Sequence, residues 1–264
     1  MNARAIAPLR PKKSLGQNFL RDENIARKIV AAVAPKTTDV VVEIGPGEGA
    51  LTKYLVTAVR RLVVVDLDER VIQRLARQFP AERMQVVHGD FLETDLDALA
   101  LAAGADLRIV GNIPYNITSP ILFHLLDHRA HVHDVTMMMQ REVARRLVAG
   151  PRTKEYGILS VFTQLFSDAT HLFDVPPTVF YPKPDVTSSV IQLQMRLIPR
   201  YPLRDEGTFR RMVRTVFGKR RKMLRNTLKE FVEKEGLTLP KGFDLEQRPE
   251  DLTVAQLAAL SNAL

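Results

Sequence analysis

Between residues 40 and 139, short β-branched apolar runs alternate with segments whose apolar positions recur every three or four residues. The runs cover 40–44, 62–66, 84–88, 107–111 and 135–139. Runs this short and this continuously apolar read as strands buried on both faces, and the helical stretches between them supply the crossovers that parallel strands require. The pattern predicts an α/β fold with a mainly parallel sheet covered by helices. Ahead of it, residues 22–34 put Ile25, Ile29, Val30 and Val33 on one helical face, and Pro35 closes that helix. Ser119 before Pro120 combines a capping residue with proline at the first helical position. Further helices are expected over 140–148 and 156–166. The runs 170–175 and 189–197 are expected to pair antiparallel as an extension of the sheet. Between them, Pro182 and Pro184 argue against regular structure over 180–186.

Near Pro199 and Pro202 the pattern turns from strand and helix to helix alone. Phe209, Met212, Val213, Val216 and Phe217 form an i, i+3, i+4, i+7, i+8 stripe. Gly218 interrupts, and a second helix over 219–231 carries Leu224, Leu228 and Phe231. Thr253 and Gln256 have capping-box spacing and open a final helix. The predicted organisation is a basic mobile arm over 1–14, a sheet-bearing domain over 15–198 and a small helical domain over 199–264.

Composition narrows the chemistry. The absence of cysteine excludes disulfides, thiolate metal sites, iron–sulfur clusters and a cysteine nucleophile. No apolar run approaches the ~20 residues of a membrane span, and the basic start lacks a secretory apolar core, so a cytoplasmic protein is expected. The formal charge of +8 is concentrated: residues 196–229 carry twelve basic side chains against Asp205 and Glu206, a local +10. Such a stripe is the footprint of a polyanion, most often nucleic acid, although a solvated helical face gives the same count. Arg220, Arg221, Lys222 and Arg225 are its densest part and the candidate RNA contacts.

Candidate chemistry gathers at strand ends. Gly111, Asn112, Ile113, Pro114 and Tyr115 follow the fourth run. An Asn amide oxygen can accept from an amine, Pro114 stiffens the turn, and Tyr115 offers a flat face, which are the needs of a site that grips the exocyclic amine of a base. After the first run, Gly45, Gly47 and Gly49 form G-x-G-x-G, suited to close backbone approach by a ligand but distinct from the G-x-G-x-x-G dinucleotide fingerprint. Asp66 ends the second run and is suited to two ribose hydroxyls; Asp90, after the third, can accept from an adenine amine. Asp68 is an alternative to Asp66 and equally a helix N-cap. His124 and His128 are an i, i+4 pair without the carboxylate or thiolate set that would complete a metal site, so no metal is expected. Met137, Met138 and Met139 read as buried strand.

These residues resemble the universal small-subunit (16S-type) ribosomal RNA adenine N6-dimethyltransferases over nearly the whole chain. The likeness rests on Asn18 to Leu20, Glu43 to Gly49, Asp66, Gly89-Asp90, Asn112 to Tyr115 and the F-x-P-x-P-x-V-x-S pattern at Phe180, Pro182, Pro184, Val186 and Ser188. It continues through 219–226 and Arg248-Pro249-Glu250. The resemblance implies the Rossmann-like fold of S-adenosylmethionine-dependent methyltransferases, with the cofactor against Asn18, Leu20, Gly45, Asp66, Asp90 and Asn112. It implies that methyl groups pass to the N6 amines of two adjacent adenosines in a hairpin near the 3′ end of small-subunit rRNA, during assembly of that subunit, by a monomer. Asn112 and the Ile113 carbonyl would accept the amine's N–H bonds, and Tyr115 and Phe180 would hold the base from its two faces. Asp66 stands where relatives often carry the longer Glu. Three alternatives remain: a large-subunit rRNA methyltransferase of the antibiotic-resistance type, against which Arg248-Pro249-Glu250 speaks; a DNA adenine methyltransferase, whose tetrad commonly has Pro at the place of Ile113; and an RNA-binding assembly factor with incidental catalysis.

Overall fold

The computed structural model describes residues 8–219 and 222–264. In chain order it contains β1 (Phe19–Leu20), α1 (Glu23–Val33), β2 (Val40–Ile44), α2 (Thr52–Ala58), β3 (Arg61–Asp66), α3 (Glu69–Gln78), β4 (Met84–His88), α4 (Leu96–Ala103) and β5 (Leu107–Asn112). There follow α5 (Thr118–Asp127), β6 (Val132–Gln140), α6 (Arg141–Val148), α7 (Ile158–Phe166), β7 (Ser167–Val175), β8 (Phe180–Tyr181) and β9 (Ser188–Met195). The chain ends with α8 (Glu206–Gly218), α9 (Leu224–Glu235) and α10 (Val254–Asn262).

All five β-branched runs become strands. Their sheet has the order β4-β3-β2-β5-β6-β9-β7, parallel from β4 to β6 and antiparallel where β9 meets β6. Every residue of β2 is buried, as expected of a strand with helices on both faces. Strand order runs outward from β2 through β3 to β4 on one side and from β5 to β6 on the other, so the direction of winding reverses between β2 and β5. At such a reversal the loops leaving the carboxyl ends diverge and open a crevice.

The contact pattern separates two units, residues 8–144 with 170–195 and residues 145–169 with 196–264. In the first, Asp22 caps α1 by accepting from the backbone of Asn24 and Ile25. The helix buries Ala26, Ile29 and Val33, while Ile25 and Val30 are only half-buried. The basic arm was predicted to be mobile. Its described part is fastened instead, by the Leu9 N–H to Glu48 at 2.8 Å and the Lys12 ammonium to Asp68 at 3.1 Å. Helix α5 begins one residue before the predicted cap, and Thr118 rather than Ser119 bonds back, its hydroxyl donating to the carbonyls of Pro114 and Tyr115.

A second correction concerns 180–186. Phe180 and Tyr181 precede the prolines and pair antiparallel with Leu20 and Phe19, so regular structure enters a stretch expected to have none. Local pattern reading had no access to that partner about 160 residues away. In the second unit the stripe Phe209, Met212, Val213, Val216 and Phe217 is buried as predicted. It packs with α7, which buries Leu159, Val161, Phe162, Leu165 and Phe166 around its circumference; the Phe162 and Phe209 rings lie edge to face at 6.0 Å. This all-round burial explains why 145–169 joins the helices, whereas the sequence placed it with the sheet. Helix α9 starts only at Leu224, and Thr253 and Gln256 form the expected capping box. Among the described residues no helix is long and apolar enough to cross a membrane.

Candidate active site

A cavity of about 230 Å³ opens at the crevice between the carboxyl ends of β2 and β5. Its wall contains Asn18, Leu20, Gly45, Gly47, Asp66, Asp90, Asn112, Ile113, Pro114 and Tyr115, all expected from the sequence. Phe180 is not part of it.

The glycine loop leaves β2 through left-handed conformations, φ 61° at Gly45 and 56° at Gly47. A Cβ on Gly47 would sit 2.9 Å from the Phe19 ring, so only glycine lets β1 close over this loop. The Gly45 N–H bonds the Val65 carbonyl, which ties the loop to the end of β3.

Two carboxyl groups share this end of the sheet. Burial pushes Asp66 up to about 6; the nearby Asp68 charge adds to the rise, and the N–H groups of Asp68 and Gly47 oppose it. Glu43, the fourth residue of β2, is pushed up to about 7 by burial, although the Thr52 hydroxyl donates to it at 2.7 Å. Glu43 also lines the cavity. The sequence assigns it no role, although a glutamate in a strand whose other four residues are Val and Ile is the signal that could have marked it as a site candidate. Asp68 faces elsewhere: its buried carboxylate caps α3 and is taken up by Arg70, Gln17 and Lys12, with Arg70 chiefly responsible for holding it well below the usual range. The N-cap alternative for Asp68 is what the structure contains. Asp90 reaches the cavity while one of its oxygens caps the following turn at the Leu92 N–H, 2.9 Å away.

At the tip of β5, the Asn112 side-chain N–H donates to the Asn18 carbonyl at 2.9 Å. With the nitrogen committed, the amide oxygen is the group left to accept a ligand's N–H. The Ile113 N–H bonds the Met138 carbonyl at 3.0 Å, prolonging the β5–β6 register and fixing the start of the turn. The Tyr115 hydroxyl meets Ser188 at 2.7 Å across from β9. Burial raises the Tyr115 pKa, so the phenol stays neutral. Ser188 ends the F-x-P-x-P-x-V-x-S pattern, yet its contact with Tyr115 joins residues 73 apart in sequence.

Phe180 is 5% exposed and belongs to the hydrophobic core around Leu20, Met138 and Val190. The alternation of a two-residue strand sends Phe180 inward and Tyr181 outward. Phe180 therefore packs into the core in this structure and does not line the cavity that Tyr115 lines.

Of the candidate RNA contacts, Arg220 and Arg221 lie outside the described residues. Lys222 is exposed, and Arg225 is exposed with an ion pair to Glu246 at 2.8 Å. Acidic partners also reach other members of the basic stripe: Asp168 pairs with Arg196 and Arg200, Glu235 with Arg211 and Glu230 with Lys219. All four of these carboxylates lie outside the window that gave +10, so folding lowers the local field. His124 bonds the Thr94 carbonyl and packs its ring against His128 and Phe91, a structural setting. Met137, Met138 and Met139 are buried in β6.

The switch-point cavity, acidic residues at successive strand ends and an amide acceptor beside a tyrosine define the Rossmann-like, S-adenosylmethionine-dependent methyltransferase class. Comparison with known proteins then narrows the class. The family model described as ribosomal RNA adenine dimethylase matches residues 9–264, and the chain belongs to that family. Ribosomal RNA small subunit methyltransferase A of Chlorobium phaeobacteroides (strain BS1) is 48% identical over 255 residues, 96% of this chain and 93% of the relative. The protein of the same name from Aromatoleum aromaticum (strain DSM 19018 / LMG 30748 / EbN1) is 45% identical over 96% and 94% of the two chains. Among solved structures, a dimethyladenosine transferase from Plasmodium falciparum superposes with a TM-score of 0.74 at 25% identity, covering 92% of this chain and 95% of the other. The 23S rRNA methyltransferase ErmE superposes at 0.65 with 26% identity, covering 92% and 100%.

Proposed function

We propose that this protein transfers methyl groups from S-adenosylmethionine to the N6 amines of two adjacent adenosines in a hairpin near the 3′ end of small-subunit rRNA, giving N6,N6-dimethyladenosine. The carrying observation is the Asn112 amide, turned by Asn18 so that its oxygen is free beside Tyr115 at the rim of the cavity.

The residues present fit the cofactor. Glu43 and Asp66 are carboxyl groups raised toward neutrality by burial, a condition relieved by a ligand that brings positive charge and hydroxyl donors. Asp66 is the acceptor for ribose hydroxyls, Asp90 for the adenine amine, and the left-handed glycines 45 and 47 allow close approach of the backbone. Asn18 and Leu20 close the wall. When bound, S-adenosylmethionine supplies an electrophilic methyl group on a positively charged sulfur.

An adenine amine is a weak nucleophile because its lone pair is delocalised into the ring. Asn112 Oδ1 and the Ile113 carbonyl accept its two N–H groups, which favours a pyramidal nitrogen with the lone pair directed out of the ring plane. Positioning then supplies most of the rate. Tyr115, held by Ser188, stacks on one face of the base and Pro114 keeps the turn stiff. The adenosine has to leave its helical stack to arrive there. Lys222 and Arg225, with Arg220 and Arg221, grip the RNA backbone, and the enzyme acts as a cytoplasmic monomer on the assembling small subunit.

Incubation of the protein with labelled S-adenosylmethionine and unmethylated small subunits, large subunits, naked rRNA or duplex DNA tests this reading. Label on two neighbouring small-subunit adenosines, identified by mass spectrometry, is the expected result. Label confined to large-subunit RNA or to DNA would replace the substrate.

A further inference from the structure

We infer that Arg21 and Tyr181 form a stacking platform for the nucleotide next to the target adenosine, a pair of positioning residues outside the cavity; the inference rests on the rRNA reading above.

The placement comes from the β1–β8 ribbon. Phe19 lies directly opposite Tyr181. Residues opposite one another in an antiparallel pair project from the same face, with Cβ atoms about 4.5–5.5 Å apart. Phe19 is buried and forms part of the cavity wall, so Tyr181 stands next to that wall, yet 50% of its surface remains open. The Arg21 guanidinium lies over the Tyr181 ring, 4.3 Å from its centroid. Its backbone is fixed by the Arg21 N–H to the Val179 carbonyl at 2.9 Å, and Glu48 approaches the guanidinium to 3.8 Å. The side chain is still 45% exposed.

A planar cation held on a half-open aromatic ring is a surface that stacks bases without regard to their identity and carries charge toward phosphate. Extrusion of an adenosine leaves its neighbours with an unstacked face. A platform beside the cavity wall replaces that lost stacking where the strand bends into the site. A solvated tyrosine pinned by an arginine would have the same geometry and no effect on substrate, which gives the test its contrast.

The test uses the full chain, unmethylated small subunits and S-adenosylmethionine. Wild type, Tyr181→Thr, Tyr181→Gln, Tyr181→Phe and Arg21→Gln are compared by kcat and KM for subunits at saturating cofactor, by cofactor Kd, and by melting temperature. Loss of one stacking contact is expected to lower kcat/KM for subunits about tenfold in Tyr181→Thr and Tyr181→Gln, mainly through KM. Cofactor Kd and melting temperature should stay at wild-type values, Tyr181→Phe should restore kcat/KM, and Arg21→Gln should show a smaller loss. Unchanged kcat/KM in both non-aromatic variants overturns the platform, as does a Tyr181→Phe variant as impaired as Tyr181→Thr, or a parallel loss of cofactor affinity. A wild-type protein that methylates no small-subunit adenosine overturns the rRNA reading and the platform together; one that methylates normally while the non-aromatic variants match it overturns the platform alone.

Discussion

Glu43→Gln should make the ligand-free protein more stable while weakening its hold on the cofactor. Glu43 is 2% exposed and its carboxyl is pushed from 4.5 up to about 7, chiefly by burial. A folded-state pKa above the unfolded value means that the folded protein prefers the neutral acid, so the penalty is complete above about pH 7 and fades as pH falls toward 4.5. Converting the shift gives about 3 kcal/mol at pH 8 and below about 1 kcal/mol at pH 5. Glutamine keeps an oxygen for the Thr52 hydroxyl and carries no charge, so it should recover much of that penalty. For a unit of this size the gain corresponds to a rise of roughly 6–12 °C in its thermal transition at pH 8, and of only a few degrees at pH 5. Calorimetric melting of both proteins at the two pH values, without cofactor, is the assay. Equal or lower stability of the variant at pH 8, or a gain of the same size at pH 5, would mean that a buried Glu43 charge does not destabilise the fold. With saturating cofactor the order should invert, because the negative charge is then matched by the ligand.

Three other outcomes follow from the same geometry. Cofactor affinity should fall at least about tenfold from pH 8 to pH 5 as Asp66, raised to about 6, takes up a proton; Asp66→Asn should be weak at pH 8 and less dependent on pH, and a flat wild-type profile in titration calorimetry would exclude Asp66 as the ribose acceptor. Ser188→Ala should lower kcat by roughly threefold to tenfold by releasing the Tyr115 hydroxyl, with cofactor Kd unchanged; the loss of one hydrogen bond of about 1 kcal/mol sets that scale, and an unaltered kcat would make the contact incidental. Changing Arg220, Arg221, Lys222 and Arg225 together to Ser should reduce the salt dependence of subunit binding by a little under one log unit per lost phosphate contact, about 0.7 for irregular RNA, whereas an unchanged slope would return the stripe to a solvated face.

The β-branched runs made the sheet legible, because a strand buried on both faces has no polar alternation to obscure it. Strand ends in a doubly wound sheet converge on one side, so Asp66, Asp90 and Asn112 fell together once the strands were placed. What stayed hidden depends on pairings across the chain. The β1–β8 register turns Phe180 into the core and Tyr181 outward, and no local pattern predicts which of two adjacent aromatics faces a cavity. Ser188 finds Tyr115 only when β9 lies beside β6. The count of +10 overstated the field because Glu230, Glu235 and Glu246 fold back onto the arginines and lysines. Helix α7 reads as an ordinary apolar helix in sequence, and only its burial all round reveals that its neighbours are α8 and α10.

The proposed role of Asn112 and its neighbours is to act on the adenine amine itself. Single-turnover methylation of small subunits by wild type and Asn112→Ala, with the product rRNA analysed by mass spectrometry and with cofactor and subunit affinities measured on the same preparations, tests it most directly. Two adjacent N6,N6-dimethyladenosines are expected from wild type, and a transfer rate at least about a hundredfold lower from Asn112→Ala with subunit affinity within a few fold. Equal losses in subunit binding and in rate, or an Asn112→Ala enzyme that still dimethylates both adenosines at the wild-type rate, would contradict it.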